Sequence, residues 1–483
     1  MKEYSKYIIL IIIAGLSHIT AFTQDSLSYY LEQAALNNPG VKARYLEYSA
    51  TLEKLPQAGS LPDPQLQLGY FIKPMELLGG NQIADATLMQ MFPWFGTLKA
   101  AKDEASKMAV AKFENFRDAK NELYFNVKAS YYKVYRTIKE IEIAEKNLDI
   151  LHSLEQLALK KFSTGGKSSS PGTGGSNPSG GNMSSKGSSK MGSNGMPDQG
   201  GMGAGTMLSN SGSSSMGSSG GGMGGSMGGS MGSSGKDDLV NLLRVQIEIH
   251  ELENRIALLK DQLTTDKVSF NRFLNRSASS EVFTGDSLMQ APIPSDILTL
   301  TDSIRNHPMV KMYEAESEAN AAKLEMVSRM GYPMIGLGLN YMVIQKREGN
   351  SAMMNGKDMT MPMVSLTLPI YRKKYKAMRN EAEFMRDAAM LSAGNATNNL
   401  RVSFQQTLQN FYDADRRVKL YTDQATLAGK SVQLLITSFS AGSSDFVEVL
   451  RMQQQLLDYQ FKQVEAVVDK NTSIARVVYL TGN

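Results

Sequence analysis

The chain has 483 residues, a formal net charge of +4 and no cysteine. So small a charge, with both signs interspersed, does not point to nucleic acid. The lack of cysteine excludes disulfides, thiolate metal sites, a catalytic thiol and a lipid anchor built on cysteine. The first predicted element is a secretory signal over residues 1–24. Lys2 and Lys6 give the positive start, Tyr7 to Leu16 the apolar run, and Ala21 and Thr23 a small-residue cleavage site before Gln24 or Asp25. That run is far short of the ~20 residues a membrane-spanning helix needs. No other segment is apolar enough to be one, so entry into a membrane is expected by strands.

The mature chain contains itself twice. Pro39-Gly40-Val41-Lys42 returns 269 residues on as Pro308-Met309-Val310-Lys311, and Pro64 and Gly69 return as Pro333 and Gly338. Phe162 and Gly165 match Phe439 and Gly442 at an offset of 277, whereas Asp238, Arg244 and Gln246 match Asp445, Arg451 and Gln453 at 207. The first copy therefore carries about 70 residues that the second lacks. The organisation reads as a first repeat over 25–164, an insertion over 165–236, the first repeat's return helix over 237–284, and a second repeat over 285–483.

Each copy predicts helix, strand, strand, long helix, turn, helix. In the first, helical periodicity runs from Leu27 to about Lys54 and ends among Pro56, Gly59, Pro62 and Pro64. Gln65 to Ile72 alternates as a strand, Pro74 and Gly79-Gly80-Asn81 make a turn, and Ala84 to Phe92 is extended up to Pro93. Thr97 to Phe162 has no Gly or Pro and reads as one helix of roughly 100 Å at the α-helical rise. Asp238 to Asn275 returns from it.

In the second copy Ile335, Leu337, Leu339, Tyr341 and Val343 face one side and Gly336, Gly338 and Asn340 the other. After the polar loop Arg347 to Asp358, Val364, Leu366 and Leu368 alternate with Met363, Ser365 and Thr367, closed by Pro369. Arg372–Ser440 and Asp445–Leu480 are the long and return helices. Each strand has about the ~9–11 residues that cross a bilayer when tilted, with an apolar face for lipid and a small or polar face for a lumen. Four strands cannot close a barrel, and open edges are not tolerated in lipid, so several chains must complete it. A soluble pair of hairpins packed on helices is the competing reading.

The duplication, the strand pairs ended by Pro93 and Pro369, and above all the turn Phe439-Ser440-Ala441-Gly442-Ser443-Ser444-Asp445-Phe446-Val447-Glu448-Val449-Leu450, followed by Gln453, resemble the TolC-like outer-membrane efflux proteins, in particular the heavy-metal efflux type. The resemblance covers essentially the whole mature chain. It implies a mixed α/β, mainly α fold. Four strands from each of three chains would make a 12-stranded β-barrel, continued by a long periplasmic α-helical barrel. It implies a homotrimer in outer-membrane lipid of a Gram-negative bacterium, a periplasmic adaptor docking on the tip residues Gly442, Ser443, Ser444 and Asp445, and an inner-membrane pump of RND type. It also implies a mouth narrowed by acidic residues after the second turn. Glu448 fits that pattern, but Arg451 stands where another acidic group is expected and Arg244 mirrors it in the first copy. A gate in which Glu448 pairs with Arg451 or Arg244 is the expectation, since like charges around a ring repel.

The insertion is Gly and Ser with nine methionines: Met183, Met191, Met196, Met202, Met207, Met216, Met223, Met227 and Met231. Gly/Ser chain offers methionine no core to fill. Thioethers are soft ligands that suit Cu(I), and by extension Ag(I), so the segment reads either as a metal collector or as a neutral spacer grown by repetition. Any such metal is transient cargo, and no cofactor is expected. Met353, Met354, Met359, Met361 and Met363 form a second group at the outer loop and upper lumen, and His152 and His250 stand at similar heights on the helix pair. No phosphate loop, zinc-protease helix, nucleophile elbow or dinucleotide fingerprint is present, so the chain is not expected to be an enzyme. The function expected is a passive outer-membrane conduit for Cu(I) or Ag(I). Export of organic compounds or type I secretion is the alternative within that class, and a periplasmic metal-sequestering helical scaffold the alternative outside it.

Overall fold

Asn38 and Pro39 break what periodicity alone reads as one entry helix. A residue before proline is pushed out of the helical region, and Asn38 sits at φ −64°, ψ 121°. Its side chain accepts from the Gly40 and Val41 amides, so α1 (Ser26–Asn37) ends and α2 (Pro39–Leu52) starts with a cap already in place. A short α3 (Lys54–Gly59) runs through Pro56, which a helix tolerates in its first turn. The computed structural model describes residues 26–165, 234–285, 288, 303–349, 353–441 and 445–482.

The strands follow as β1 (Gln65–Leu77) and β2 (Gly80–Phe92), then α4 (Thr97–Gly165) and α5 (Ser234–Leu274). The second repeat gives α6 (Pro308–Met330), β3 (Met334–Gln345), β4 (Met359–Thr367), α7 (Arg372–Ser440) and α8 (Phe446–Leu480). The long helices α4 and α7 have 69 residues each. All strands pair antiparallel in the order β1-β2-β3-β4, so the two hairpins join through β2 and β3 and leave β1 and β4 as edges. One expectation fails here: Pro74 does not end β1. The strand continues to Leu77 with a register shift between Tyr70 and Met75. Pro74 falls in the stretch of β1 between Tyr70 and Met75 that has no partner on β2, so no ladder bond to β2 is lost there; Pro362 stands opposite Leu339 in β4, which within the chain pairs only with β3.

The described residues form two compact units. One holds the chain up to His152 and from Ile247 onward; the other is Ser153–Gln246. In the smaller unit Leu154, Ala158, Leu242 and Val245 are buried, and Gln246 Nε2 donates to Glu155 Oε1 at 3.0 Å. The larger unit has a main core in each repeat, with a smaller cluster of Ala428, Val432 and Leu456 between α7 and α8. Tyr30, Val41, Leu123, Val127, Tyr131 and Phe270 belong to the first, and Ile304, Val310, Leu400, Phe404, Leu408 and Val477 to the second. The sequence offsets carry Val41 onto Val310, Leu123, Val127 and Tyr131 onto Leu400, Phe404 and Leu408, and Phe270 onto Val477. The duplication is therefore a duplication of packing.

The repeats lock along α4 and α8. Arg136 bonds Glu140 on its own helix at 2.7 Å and Glu465 of α8 at 3.0 Å. Lower down, Gln453 donates to Asn147 Oδ1 at 2.6 Å and Asn147 donates to Gln460 at 3.0 Å. Side-chain amides bonded across two helices in this way help fix the register between them, although Gln453 Oε1 itself has no donor.

Candidate functional site

The sheet has two unlike faces. Leu66, Leu68, Tyr70, Leu88, Leu337, Leu339, Tyr341, Val364 and Leu366 all project from one, and all are exposed. The register puts Leu88 beside Leu66 and Leu339, and Leu337 beside Val364. The patch is contiguous and larger than the single exposed apolar residues of ordinary protein surfaces. At the helix end of the strands lies an aromatic cluster. Trp94 stacks on Tyr332 with ring centres 5.2 Å apart, and Phe95, Ile370 and Tyr371 stand exposed around them. Gly96 makes the corner from β2 into α4 at φ +81°, and a Cβ there would strike the Arg329 guanidinium, which donates to the Phe95 carbonyl at 3.1 Å. An apolar band with an aromatic rim is the surface chemistry of a barrel wall in lipid.

The opposite face alternates Asp85, Thr87, Met89 and Met91 on β2 with Gly336, Gly338, Asn340 and Met342 on β3 and Met359, Met361, Met363 and Ser365 on β4. Sequence reading placed three of these methionines there but missed Met89, Met91 and Met342. The every-second-residue spacing of Met89 and Met91, like that of Met359, Met361 and Met363, was the signal available.

At the other end of α7 the turn is held by aromatic packing. Phe439 and Phe446 are buried with ring centres 4.9 Å apart. Asp445 caps α8 by accepting from the Val447 amide at 3.2 Å, and Glu448 sits in the first turn, where the helix dipole favours a negative charge. Glu448 and Arg451 do meet, at 3.9 Å one turn apart, with both side chains exposed. In one chain such a pair is worth ~0–1 kcal/mol. Arg244 is exposed on α5 in the smaller unit. Gly442, Ser443 and Ser444, and all nine methionines from Met183 to Met231, lie outside the described residues. His250 contacts Glu253 on its own helix at 3.2 Å. Among the described residues no group of three or more His, Asp or Glu could hold a metal, and no helix is long and apolar enough to cross a membrane.

Where α8 ends lies a buried polar cluster, of which sequence reading marked only His307, as a structural residue at the helix entry before Pro308. His307 is fully buried and caps α6 by accepting from the Met309 amide at 3.2 Å. Its Nε2 lies 3.8 Å from Asp118, which accepts from the Tyr479 hydroxyl at 3.4 Å. Burial, helped by the nearby Arg476 charge, pushes the imidazole down to about 4. Burial and the neighbouring Glu122 push the Asp118 carboxyl up to about 6. At neutral pH the histidine is uncharged and acts as a cap.

No family model matches the chain, and no curated protein matches it. Solved structures do. A structure of CusC, described for its folding and transmembrane channel formation, aligns at 13% identity over 96% of this chain and 93% of that one, with a TM-score of 0.68. The outer-membrane protein VceC of Vibrio cholerae aligns at 12% over 95% and 96%, TM-score 0.66. The open state of the outer-membrane channel MtrE of Neisseria gonorrhoeae aligns at 12% over 95% and 89%, TM-score 0.65. The chain has the fold of these channel proteins along nearly its whole length.

Proposed function

We propose that this chain is one protomer of a trimeric outer-membrane exit duct in a three-part efflux system, a passive conduit whose energy comes from an inner-membrane pump. The observation that carries the reading is the sheet: four strands with two open edges and an uncovered apolar face. A soluble protein would cover that face, and lipid would not tolerate those edges unless neighbouring chains paired them. The soluble-hairpin alternative leaves both features unexplained. The likeness to outer-membrane channels and the resemblance to TolC-like efflux proteins supply the location, the trimer, the periplasmic adaptor and the pump. The turn around Asp445 is the adaptor contact in this reading, and Glu448 with Arg451 narrows the mouth. Cell fractionation tests it. Heat-resistant trimers in outer membranes are expected; a soluble monomer in the periplasm would replace the duct by a scaffold.

The cargo proposed is Cu(I) or Ag(I), on the strength of the nine insertion methionines and the softness of thioether sulfur. The second repeat joins its long and return helices without such a segment, so deleting Lys167–Ser234 should leave trimer yield normal. Copper or silver resistance should fall while resistance to organic compounds stays. Full metal resistance after replacing all nine methionines by leucine would make the insertion a spacer and remove the main support for metal cargo.

A further inference from the structure

On the inner face of the sheet two methionines of β2 reach across β3 to a residue of β4. Ser365 Oγ lies 3.5 Å from Met89 Sδ and 3.7 Å from Met91 Sδ. The residue between them in the register is Gly336, paired with both Met91 and Ser365. A Cβ on Gly336 would stand 2.7 Å from Met91 Sδ and would collide with Ser365 Oγ. Gly338, the next residue on this face, pairs with Met89 on one side and Met363 on the other. Two glycines at alternate positions of a strand cost stability and usually mark a close approach of something else. Here they clear the floor beside Met89 and Met91, and the register sets Met363 on the other side of Gly338.

A hydroxyl donates along a sulfur lone pair, and this one has the lone pairs of two thioethers within reach. A cation bound between the two sulfurs would take the place of that hydroxyl hydrogen. The next row adds oxygen. Asn340 is buried, its Nδ2 donates to Thr87 Oγ1 at 2.6 Å, and its Oδ1 has no donor. An acceptor with no donor to satisfy it, in the row next to thioethers held over glycine, suits a soft cation rather than an anion or an apolar guest.

We infer that Met89, Met91 and Met363 form a thioether site for a monovalent soft metal ion, Cu(I) or Ag(I), on the inner wall of the strand region. The site deepens the metal-cargo reading and rests on it for its use: it gives the ion a second stop, inside the barrel, after the methionine-rich insertion. Its chemistry stands on the sheet geometry alone. Zn(II), which prefers imidazole and thiolate, has no ligand set here.

The test uses the full protein lacking only Lys167–Ser234, purified in detergent, so that the insertion methionines cannot contribute. Titration with Ag(I), or with Cu(I) under reducing conditions, should show about one tight ion per chain and no competition from Zn(II). The M89L/M91L/M363L variant should bind at least about tenfold more weakly, and because leucine for methionine nearly conserves volume, its assembly should survive. X-ray absorption at the silver edge of the unsubstituted deletion protein gives a readout that needs no variant, with sulfur neighbours expected. A shell of only oxygen and nitrogen, no binding, or equal affinity in the triple variant would overturn the site. Silver resistance of cells lacking the whole protein is scored separately. Unchanged resistance there overturns the cargo reading and leaves the binding result to decide the site.

Discussion

The two repeats bury corresponding positions with different side chains, and the differences compensate. In the first core Val127 of α4 and Phe270 of α5 are both fully buried. In the second, the matching positions are Phe404 of α7 and Val477 of α8, each 1% exposed. One large and one small residue have exchanged sides, which keeps the volume filled. The entry helix is capped at one position in both copies, but by an amide in the first, Asn38, and by an imidazole in the second, His307. Asn38 also donates to the Phe273 carbonyl at the end of α5, and His307 packs edge-on against Tyr479 at the end of α8. What the duplication preserved is position and volume; the chemistry at each position was free to change.

The largest test asks whether the two hairpins do the same work. Leu68 and Leu337 match at the 269-residue offset and both project from the apolar face. Leu68→Arg and Leu337→Arg should each cost ~2–4 kcal/mol of assembly stability if near the bilayer midplane. Gln67→Arg, on the other face, should be tolerated. Trimer yield in outer membranes reads this, and equal yield for all three variants would refute the assignment of faces.

A smaller effect is expected in the cores. Phe270→Val alone should cost about 2–3 kcal/mol through the cavity it leaves, and Val127→Phe alone about 1–3 kcal/mol through overpacking. Together they rebuild the second repeat's arrangement in the first, and most of the loss should return. Simple additivity in a thermal or denaturant melt would mean that the two positions do not share one space.

The smallest effect concerns the caps and pH. His307 binds fewer protons folded than unfolded between about 4 and its ordinary 6.5, so its contribution to stability is lost as pH falls through that window. Asp118 binds more protons folded than unfolded between its ordinary 3.8 and about 6, so its contribution grows as pH falls. In the wild type the two oppose, and stability should change by less than ~1 kcal/mol between pH 7 and 5. Asp118→Asn leaves His307 unopposed and should lose about 2 kcal/mol over that interval. His307→Asn, which copies the first repeat's cap, should remove the histidine's share of the dependence. Melting midpoints at the two pH values check this, and superimposable profiles for wild type and Asp118→Asn would rule out the opposition.

Helix and strand identity were legible because each depends on local period and on punctuation. Alternation through Ile335, Leu337 and Leu339 and the long stretch free of Gly and Pro after Thr97 left little choice. The misreadings were at prolines. Pro74 sits inside β1 because the register against β2 shifts between Tyr70 and Met75, and that irregularity depends on which residues lie beside which. The entry helix divided at Asn38 because the restriction that Pro39 places on its neighbour outweighed an unbroken apolar period.

The sequence by itself determined the duplication, the order of the elements, the two unlike faces of β1, β3 and β4 and the soft-ligand character of the insertion, since all of these are properties of order and spacing along the chain. The tertiary structure alone decided what meets across strands and helices. Met89 and Met91 reach Ser365 only because β2, β3 and β4 adopt one particular register over two glycines, and a shift of one residue would turn those sulfurs to the opposite face. The burial of His307 beside Asp118 likewise joins residues almost 200 positions apart, a distance over which no local pattern carries information.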